Sequence, residues 1–313
     1  MNIGFDIMGG DFAPSEAVKG LRNFLSTATS SVHISCIGNQ AVLTELFEAE
    51  NIPTSSIQIV HAPEIIGMHE NPTKALKEKQ RSSIAVGFRM LATGEIDGFV
   101  SAGNTGAMLV GAHASLKPVE GVLRPAIASI VPQLNGGTGI LADVGLNADC
   151  KPEKLNQFAL LGTLYARDVF EIENPKVGLL NVGEEEGKGN ILTKAAYPLL
   201  KANKQINFIG NIEGRDIFTS KADVMVCEGF TGNIVLKLAE SLYDAAVARN
   251  IHDNFMYRFN YENVGGTPVL GVAKPVVIGH GISNANAFSS MIRLTQKMIE
   301  SKICTNIAAN FKP

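Results

Sequence analysis

Between Asn181 and Asn190 the chain reads NVGEEEGKGN. Gly183, Gly187 and Lys188 approach the phosphate loop of ATP-binding enzymes, G-x-x-x-x-G-K-[ST], whose backbone amides and lysine hold phosphates. Three residues separate the glycines instead of four, and Gly189 stands where a magnesium-binding hydroxyl belongs. The spacer is three glutamates, Glu184 to Glu186, set where a triphosphate would bring its own negative charge. Such a loop suits a small anion or a single phosphate group, with Lys188 as the nearby cation. Lys188 would then bind phosphate or stabilise a developing oxyanion. The alternative without chemistry is a solvated lysine paired with the glutamates.

Other candidates are weaker. His280 lies between Gly279 and Gly281 at a strand end, where it suits a hydrogen-bond donor, a general acid or a plain turn residue. Cys227 ends a strand, but no local Cys-His-Asn signature supports a nucleophile, so packing is the expected role. No G-x-S-x-G elbow is present. Neither His61 and His69 nor Cys36, Cys150, Cys227 and Cys304 have ligand spacing, so no metal and no disulfide framework is expected. In KALKEKQR, Lys74, Lys77 and Arg81 fall at i, i+3 and i+7, which on a helix puts three cations on one face. That face is either solvated or a docking patch for an acidic partner protein.

Six turns after strands share one character. Alongside NVGEEEGKGN they read MGGD (Met8 to Asp11), SAGNTG (Ser101 to Gly106), DVGLN (Asp143 to Asn147), CEGFTGN (Cys227 to Asn233) and GHGISN (Gly279 to Asn284). Any one of them could simply turn the chain and cap a helix. Together they suggest an anion site, because in a parallel sheet the carboxyl ends of the strands face one crevice. The candidate phosphate or substrate contacts are Gly9, Gly10, Asp11, Gly103, Asn104, Thr105, Asn147, Gly187, His280 and Asn284. No G-x-G-x-x-G follows a strand, since Asn284 takes the third glycine position of GHGISN, so a dinucleotide cofactor is poorly supported.

The elements that must carry these loops alternate along the chain. Strands are expected at NIGFD, VHISCIG, IQIVHA, GFVSAG, AIASIV, GILADVG, KVGLLNVG, INFIGN, DVMVCEG and PVVIGHG, mostly continuous apolar runs typical of strands covered on both faces. Helical patterns between them include Glu153 to Phe170, Thr231 to Arg249 and Ser283 to Lys312. This order predicts an α/β fold, a largely parallel sheet with helices on both faces. Ala248 to Pro268 is the least regular stretch. One α/β catalytic domain over residues 1–313, in one body or two lobes around a cleft, fits better than separable domains.

At 313 residues, 45% hydrophobic, 18% charged and with a net charge of −3, the chain reads as a soluble globular protein. The acidic balance argues against a nucleic-acid partner. MNIGFD enters a strand without a charged leader, and no apolar run is long enough to span a membrane. A cytoplasmic location with reduced thiols is expected.

In order, D-x-MGGD-x-x-P, SAGNTGA, LxDxGxN-x-DCKPE, NVGEEEGKGN, FxGNIEGRDI, GFTGN and GHG-x-SN resemble the bacterial phosphate acyltransferases of phospholipid synthesis, from Phe5 to about Phe288. The resemblance implies transfer of a long acyl chain from acyl carrier protein to inorganic phosphate, giving acyl phosphate. It implies a fold like that of phosphate acetyltransferases and isocitrate dehydrogenases, with a short helical excursion near residues 235–265. It also implies a homodimer without metal, nucleotide or other cofactor. Lys188 and Asn233 match family positions regarded as catalytic, Asn233 as an amide donor to the tetrahedral oxyanion.

LADVGLN replaces the usual LLDVGAN, Glu228 replaces aspartate, and Gln80–Arg81 replaces a Lys-Asp pair in the segment expected to dock the carrier. The segment between GFTGN and GGTP is shorter than in many members, with NFMYRFNY as its aromatic run, which weighs against peripheral membrane contact through it. The competing readings are a short-chain phosphotransacylase using coenzyme A thioesters, a non-catalytic binding module, and an oxidoreductase of the isocitrate dehydrogenase type.

Overall fold

The computed structural model describes residues 1–28 and 32–311. The chain divides into two compact units, Met1–Lys117 with Tyr261–Glu300, and Pro118–Asn260 with the residues from Ser301 onward. The first segment contains β1 (Asn2–Asp6), α1 (Ser15–Leu25), β2 (His33–Gly38), α2 (Gln40–Ala49) and β3 (Ile57–His61). It continues through α3 (Pro72–Glu78), α4 (Ser83–Thr93), β4 (Gly98–Ser101) and α5 (Thr105–Leu116). The second unit opens with β5 (Ala126–Pro132), β6 (Thr138–Ala142), α6 (Pro152–Phe170), β7 (Lys176–Asn181) and α7 (Ile191–Ala202). There follow β8 (Asn207–Glu213), β9 (Val224–Val226), α8 (Gly229–Ala248) and the single turn α9 (Asn254–Tyr257). The chain then returns to the first unit with α10 (Tyr261–Val264), β10 (Thr267–Leu270), β11 (Val276–Ile278) and α11 (Ala285–Glu300), and ends in the second with α12 (Ile303–Asn310).

In the first unit the strand order is β3-β2-β1-β4-β11-β10, parallel except for β10. β1 lies inside, and Ile3 and Phe5 on it are fully buried, as continuous apolar strands require. Phe5 packs on Phe288 of α11 with ring centroids 5.7 Å apart, and Phe88 of α4 meets Phe99 of β4 edge-on at 5.1 Å. In the second unit the order is β5-β6-β9-β7-β8, with β5 antiparallel to β6. α6 starts at Pro152, where a missing N–H costs nothing, and buries Leu155, Phe158, Leu161 and Tyr165.

Each expected strand is present, and β10 is one the sequence reading missed. The expected helix from Ser283 to Lys312 is two, broken at Lys302, which has φ +54° before α12; Lys312 lies outside the described residues. The excursion near residues 235–265 comprises the end of α8, α9 and α10. Among the described residues no helix is long and apolar enough to cross a membrane.

Candidate active site

The six glycine loops sort three to each unit. In the first unit, MGGD follows β1, the loop to Asn104 follows β4, and GHGISN follows β11. Parallel pairing puts all three at the same end of their strands. Asp11 N donates to Gly281 O at 2.7 Å and Gly279 N to Ser101 O at 2.9 Å, so the loops are tied to one another. Beneath them the Asp6 carboxylate is fully buried and accepts from Met8 N at 3.0 Å and Ser101 Oγ at 2.7 Å. Burial raises its pKa against the opposing pull of those donors.

Gly9, Gly10, Asp11, Gly103, Asn104, Thr105, His280 and Asn284 all belong to this group of loops. Asn104 differs in role. Its Oδ1 caps α5 by accepting from Ala107 N, and its Nδ2 lies 3.0–3.1 Å from the carbonyl oxygens of Gly67, Met68 and Glu70. Buried and occupied at both ends, that side chain clamps the 67–70 segment and is closed to phosphate. Asn284 caps α11 through Oδ1, which accepts from Ala287 N at 3.1 Å. His280 is half-buried, and its carbonyl accepts from both Ser283 N and Ser283 Oγ.

The expected single face of Lys74, Lys77 and Arg81 is not formed. α3 ends at Glu78, and Arg81 lies beyond it, just before the Ser82 cap of α4. The backbone leaves the helix at Lys79 (φ −105°, ψ 64°), whose Nζ reaches Glu70 at 2.5 Å and Ile65 O at 2.8 Å. Lys74, Lys77 and Arg81 are all exposed, but only the two lysines share a helix.

In the second unit, DVGLN follows β6, CEGFTGN joins β9 to α8, and the glutamate loop joins β7 to α7. These strands too are parallel. Asp143 repeats the arrangement of Asp6: it is buried and accepts from Ile127 N, Leu146 N, Asn147 N and Asn147 Nδ2. Burial again raises its pKa. Asn147 is 4% exposed, and its Nδ2 donates to Asp143 at 2.8 Å and to Pro125 O at 3.0 Å. With both N–H bonds taken up, the Asn147 side chain braces the loop and cannot serve as a phosphate donor.

Gly229 N donates to Asn147 O at 2.8 Å, and a Cβ on Gly229 would stand 2.9 Å from Asn147 N. That close approach, open only to glycine, seats the first turn of α8 on the DVGLN loop. Asn233 follows one turn later, exposed, with Nδ2 donating to Val144 O at 3.3 Å.

Lys188 is exposed, and its backbone is pinned while its amine is not. Asn181 Nδ2 donates to Lys188 O at 3.1 Å, and Asn211 Nδ2 to Glu185 O at 2.8 Å. Gly189 has φ +104°, and a Cβ there would collide with Thr193 Oγ1 and Asn181 Oδ1, so the turn into α7 requires glycine. Glu184 pairs with Lys221 at 2.7 Å and Glu186 with Lys201 at 2.9 Å. That leaves Lys188 facing Glu185 at 3.9 Å, a loose exposed pair. Gly187 has no neighbouring atom within 4 Å of where its Cβ would be.

Glu184, Glu213 and Asp216 bring carboxylate oxygens within 4.8 Å of one another, but Lys221 Nζ already sits on Glu184 and Asp216 at 2.7 and 2.8 Å. A cation is thus built into that cluster.

The segments around Asn147, Lys188 and Asn233 meet at an open cavity of about 500 Å³. Ala148, Asp149 and Cys150 line it from beyond Asn147, Asn190 to Leu192 from beyond Lys188, and Glu228 and Phe230 from before Asn233. Sequence reasoning did not single out Ile191, Phe230 or Cys150. Cys150 is half-buried and its thiol is pushed up to about 11, chiefly by burial. Cys227 is buried with its thiol also raised, and its Sγ lies 3.7 Å from Asp143 O, consistent with packing.

The fold is that of the phosphotransacetylases. A phosphotransacetylase from Streptococcus pyogenes superposes with a TM-score of 0.69 over 96% of this chain and 94% of its own, at 17% identity. One from Staphylococcus aureus gives a TM-score of 0.66 over the same shares, at 16% identity. By sequence, the chain belongs to the family described as fatty acid synthesis protein, whose model matches residues 1–253 and 241–306. A relative from Dictyoglomus turgidum named phosphate acyltransferase is 40% identical, covering 97% of this chain and 95% of its own. Another of that name from Aquifex aeolicus is 40% identical over 100% and 97%.

Proposed function

We propose that this protein transfers a long-chain fatty acyl group from the thioester of acyl carrier protein to inorganic phosphate, giving acyl phosphate for phospholipid synthesis. The observation that carries the reading is near full-length similarity, at 40%, to proteins named phosphate acyltransferase. Phosphate is anionic at neutral pH, so the reaction needs positioning and charge stabilisation more than a strong base. A phosphate oxygen attacks the thioester carbonyl carbon, the carbonyl oxygen becomes an oxyanion, and collapse breaks the C–S bond. The products are acyl phosphate and the carrier thiolate, which is stable enough to leave without a protein acid.

Asn233 donates its exposed amide to the oxyanion, and Lys188 holds phosphate or shares its charge. The exposure of Lys188 and its slack pairing with Glu185 support this role, because a locked salt bridge would have to break first. Gly187 offers its backbone N–H to substrate beside Lys188; within the first unit, the loops carrying Gly9, Gly10, Asp11, Gly103, Thr105, His280 and Asn284 gather backbone N–H groups suited to an anionic group. Lys74 and Lys77 dock the acidic carrier, with Arg81 as a separate contact. The protein works in the cytoplasm as a homodimer, without metal or nucleotide.

Donor comparison tests this reading. Palmitoyl-acyl carrier protein should turn over well above acetyl-coenzyme A in the presence of phosphate. The reverse preference would make the protein a short-chain phosphotransacylase.

A further inference from the structure

The cavity of the second unit is ill suited to phosphate. Two carboxylates, Asp149 and Glu228, stand in its wall, and neither is paired with a lysine or arginine among the described residues. Glu228 is instead turned to Thr231, accepting from its N at 3.0 Å and from its hydroxyl as the cap of α8. The remaining wall is largely apolar, from Ala148, Ile191, Leu192 and Phe230. Ile191 is 90% exposed and Phe230 62% exposed, unusual for side chains of that size at the mouth of a cavity.

The apolar surface continues beyond the cavity. Ile234 and Leu238 follow Phe230 at four-residue steps along α8, and are 51% and 64% exposed. Residues at that spacing share a helix face, and eight residues rise about 12 Å. A cavity and a stripe in line, next to the loops of Lys188 and Asn233, match the shape of an extended hydrocarbon chain.

Resting on the acyl-transfer reading above, we infer that the donor's fatty acyl chain lies in the cavity between Ile191 and Phe230 and runs out along Ile234 and Leu238. The acidic wall disfavours the anionic second substrate in this space. The stripe makes acyl length a determinant of binding, since only a long chain reaches Leu238.

The chain has no tryptophan, so Phe230→Trp places a single indole reporter in the cavity. In phosphate-free buffer, which allows binding without turnover, palmitoyl-acyl carrier protein should shift its emission to the blue saturably, and the acetylated carrier should not. Val247→Trp, near the far end of α8, should report neither. Equal responses to both donors, or no response, would overturn the inference. Leu238→Asn should lower kcat/KM for the palmitoyl donor about tenfold, as expected for losing one buried aliphatic contact, and leave a hexanoyl donor unchanged. An equal loss on both donors, or a loss tracking a change in oligomeric state by light scattering, would assign the stripe to a second copy of the chain and overturn the track. Phosphate-dependent thiol release by the unaltered protein is read separately. Its absence with a palmitoyl-specific blue shift would sink the transfer reading while leaving the acyl site in place.

Discussion

Replacing Gly229 with alanine probes whether the contact between α8 and the DVGLN loop sets the catalytic geometry. The added Cβ would stand 2.9 Å from Asn147 N and 3.0 Å from its carbonyl carbon and oxygen, all backbone atoms. Comfortable contacts to carbon begin near 3.5 Å, so the two segments must part by roughly half an ångström or more. Overpacking of this kind costs about 1–3 kcal/mol of stability. The same movement draws Asn233 away from Val144 O, to which it donates at 3.3 Å. A displacement approaching 1 Å at a reacting group costs up to about 10²-fold, so turnover should fall roughly 10- to 100-fold. Gly214→Ala is the matched control, because no atom lies within 4 Å of its Cβ position, and turnover and stability should barely change. Initial rates of thiol release and urea melts on both variants read the two effects. Unaltered turnover and an unaltered urea midpoint in Gly229→Ala would refute the reasoning.

Other outcomes follow from the same geometry. Lys188→Ala should cut kcat by about 10²-fold or more, as loss of a charge-stabilising group does, with the melting temperature unchanged because the loop is held through Asn181 and Asn211. Unchanged turnover would remove Lys188 from the mechanism. Reversing charge at Lys74 and Lys77 together should weaken the carrier-protein donor more than an acyl-coenzyme A donor, and added salt should narrow the gap. Equal loss on both donors would remove the docking patch. Cys150, with its thiol pushed up to about 11, holds its proton through neutral pH, so alkylation at pH 8 should be slower than for an ordinary thiol near 8.5 and rise steeply above pH 10. Fast labelling at pH 8, mapped by mass spectrometry, would contradict the burial that raises it.

The strands were legible because most are continuous runs of branched apolar residues between glycine turns. β10 escaped because TPVL is short, carries Pro268 inside it and follows two glycines, all features that argue against a strand. Its place comes from antiparallel pairing with β11, the next strand along the chain, rather than from a pattern within TPVL itself. The early end of α3 left no mark in the sequence: no glycine or proline stands at Lys79, where the backbone leaves the helix and the side chain reaches Glu70 and Ile65 O.

At the site, glycine spacing identified the loops but not what their asparagines do. Asn104 and Asn147 look like ligand donors in sequence, yet each is a brace whose amide reaches carbonyls 22 to 37 residues away. Asp6 and Asp143 carried a signal that could have been read, an acid closing an apolar strand just before a glycine loop. Buried there, a carboxylate is tolerable only when surrounded by donors, and the loop amides supply them.

The most direct test of acyl transfer mixes the purified protein with palmitoyl-acyl carrier protein and follows thiol release with and without inorganic phosphate. The account predicts release that depends on phosphate and a product that hydroxylamine traps as the hydroxamate. Release at the same rate without phosphate, or none from a donor that a control enzyme consumes, would contradict it.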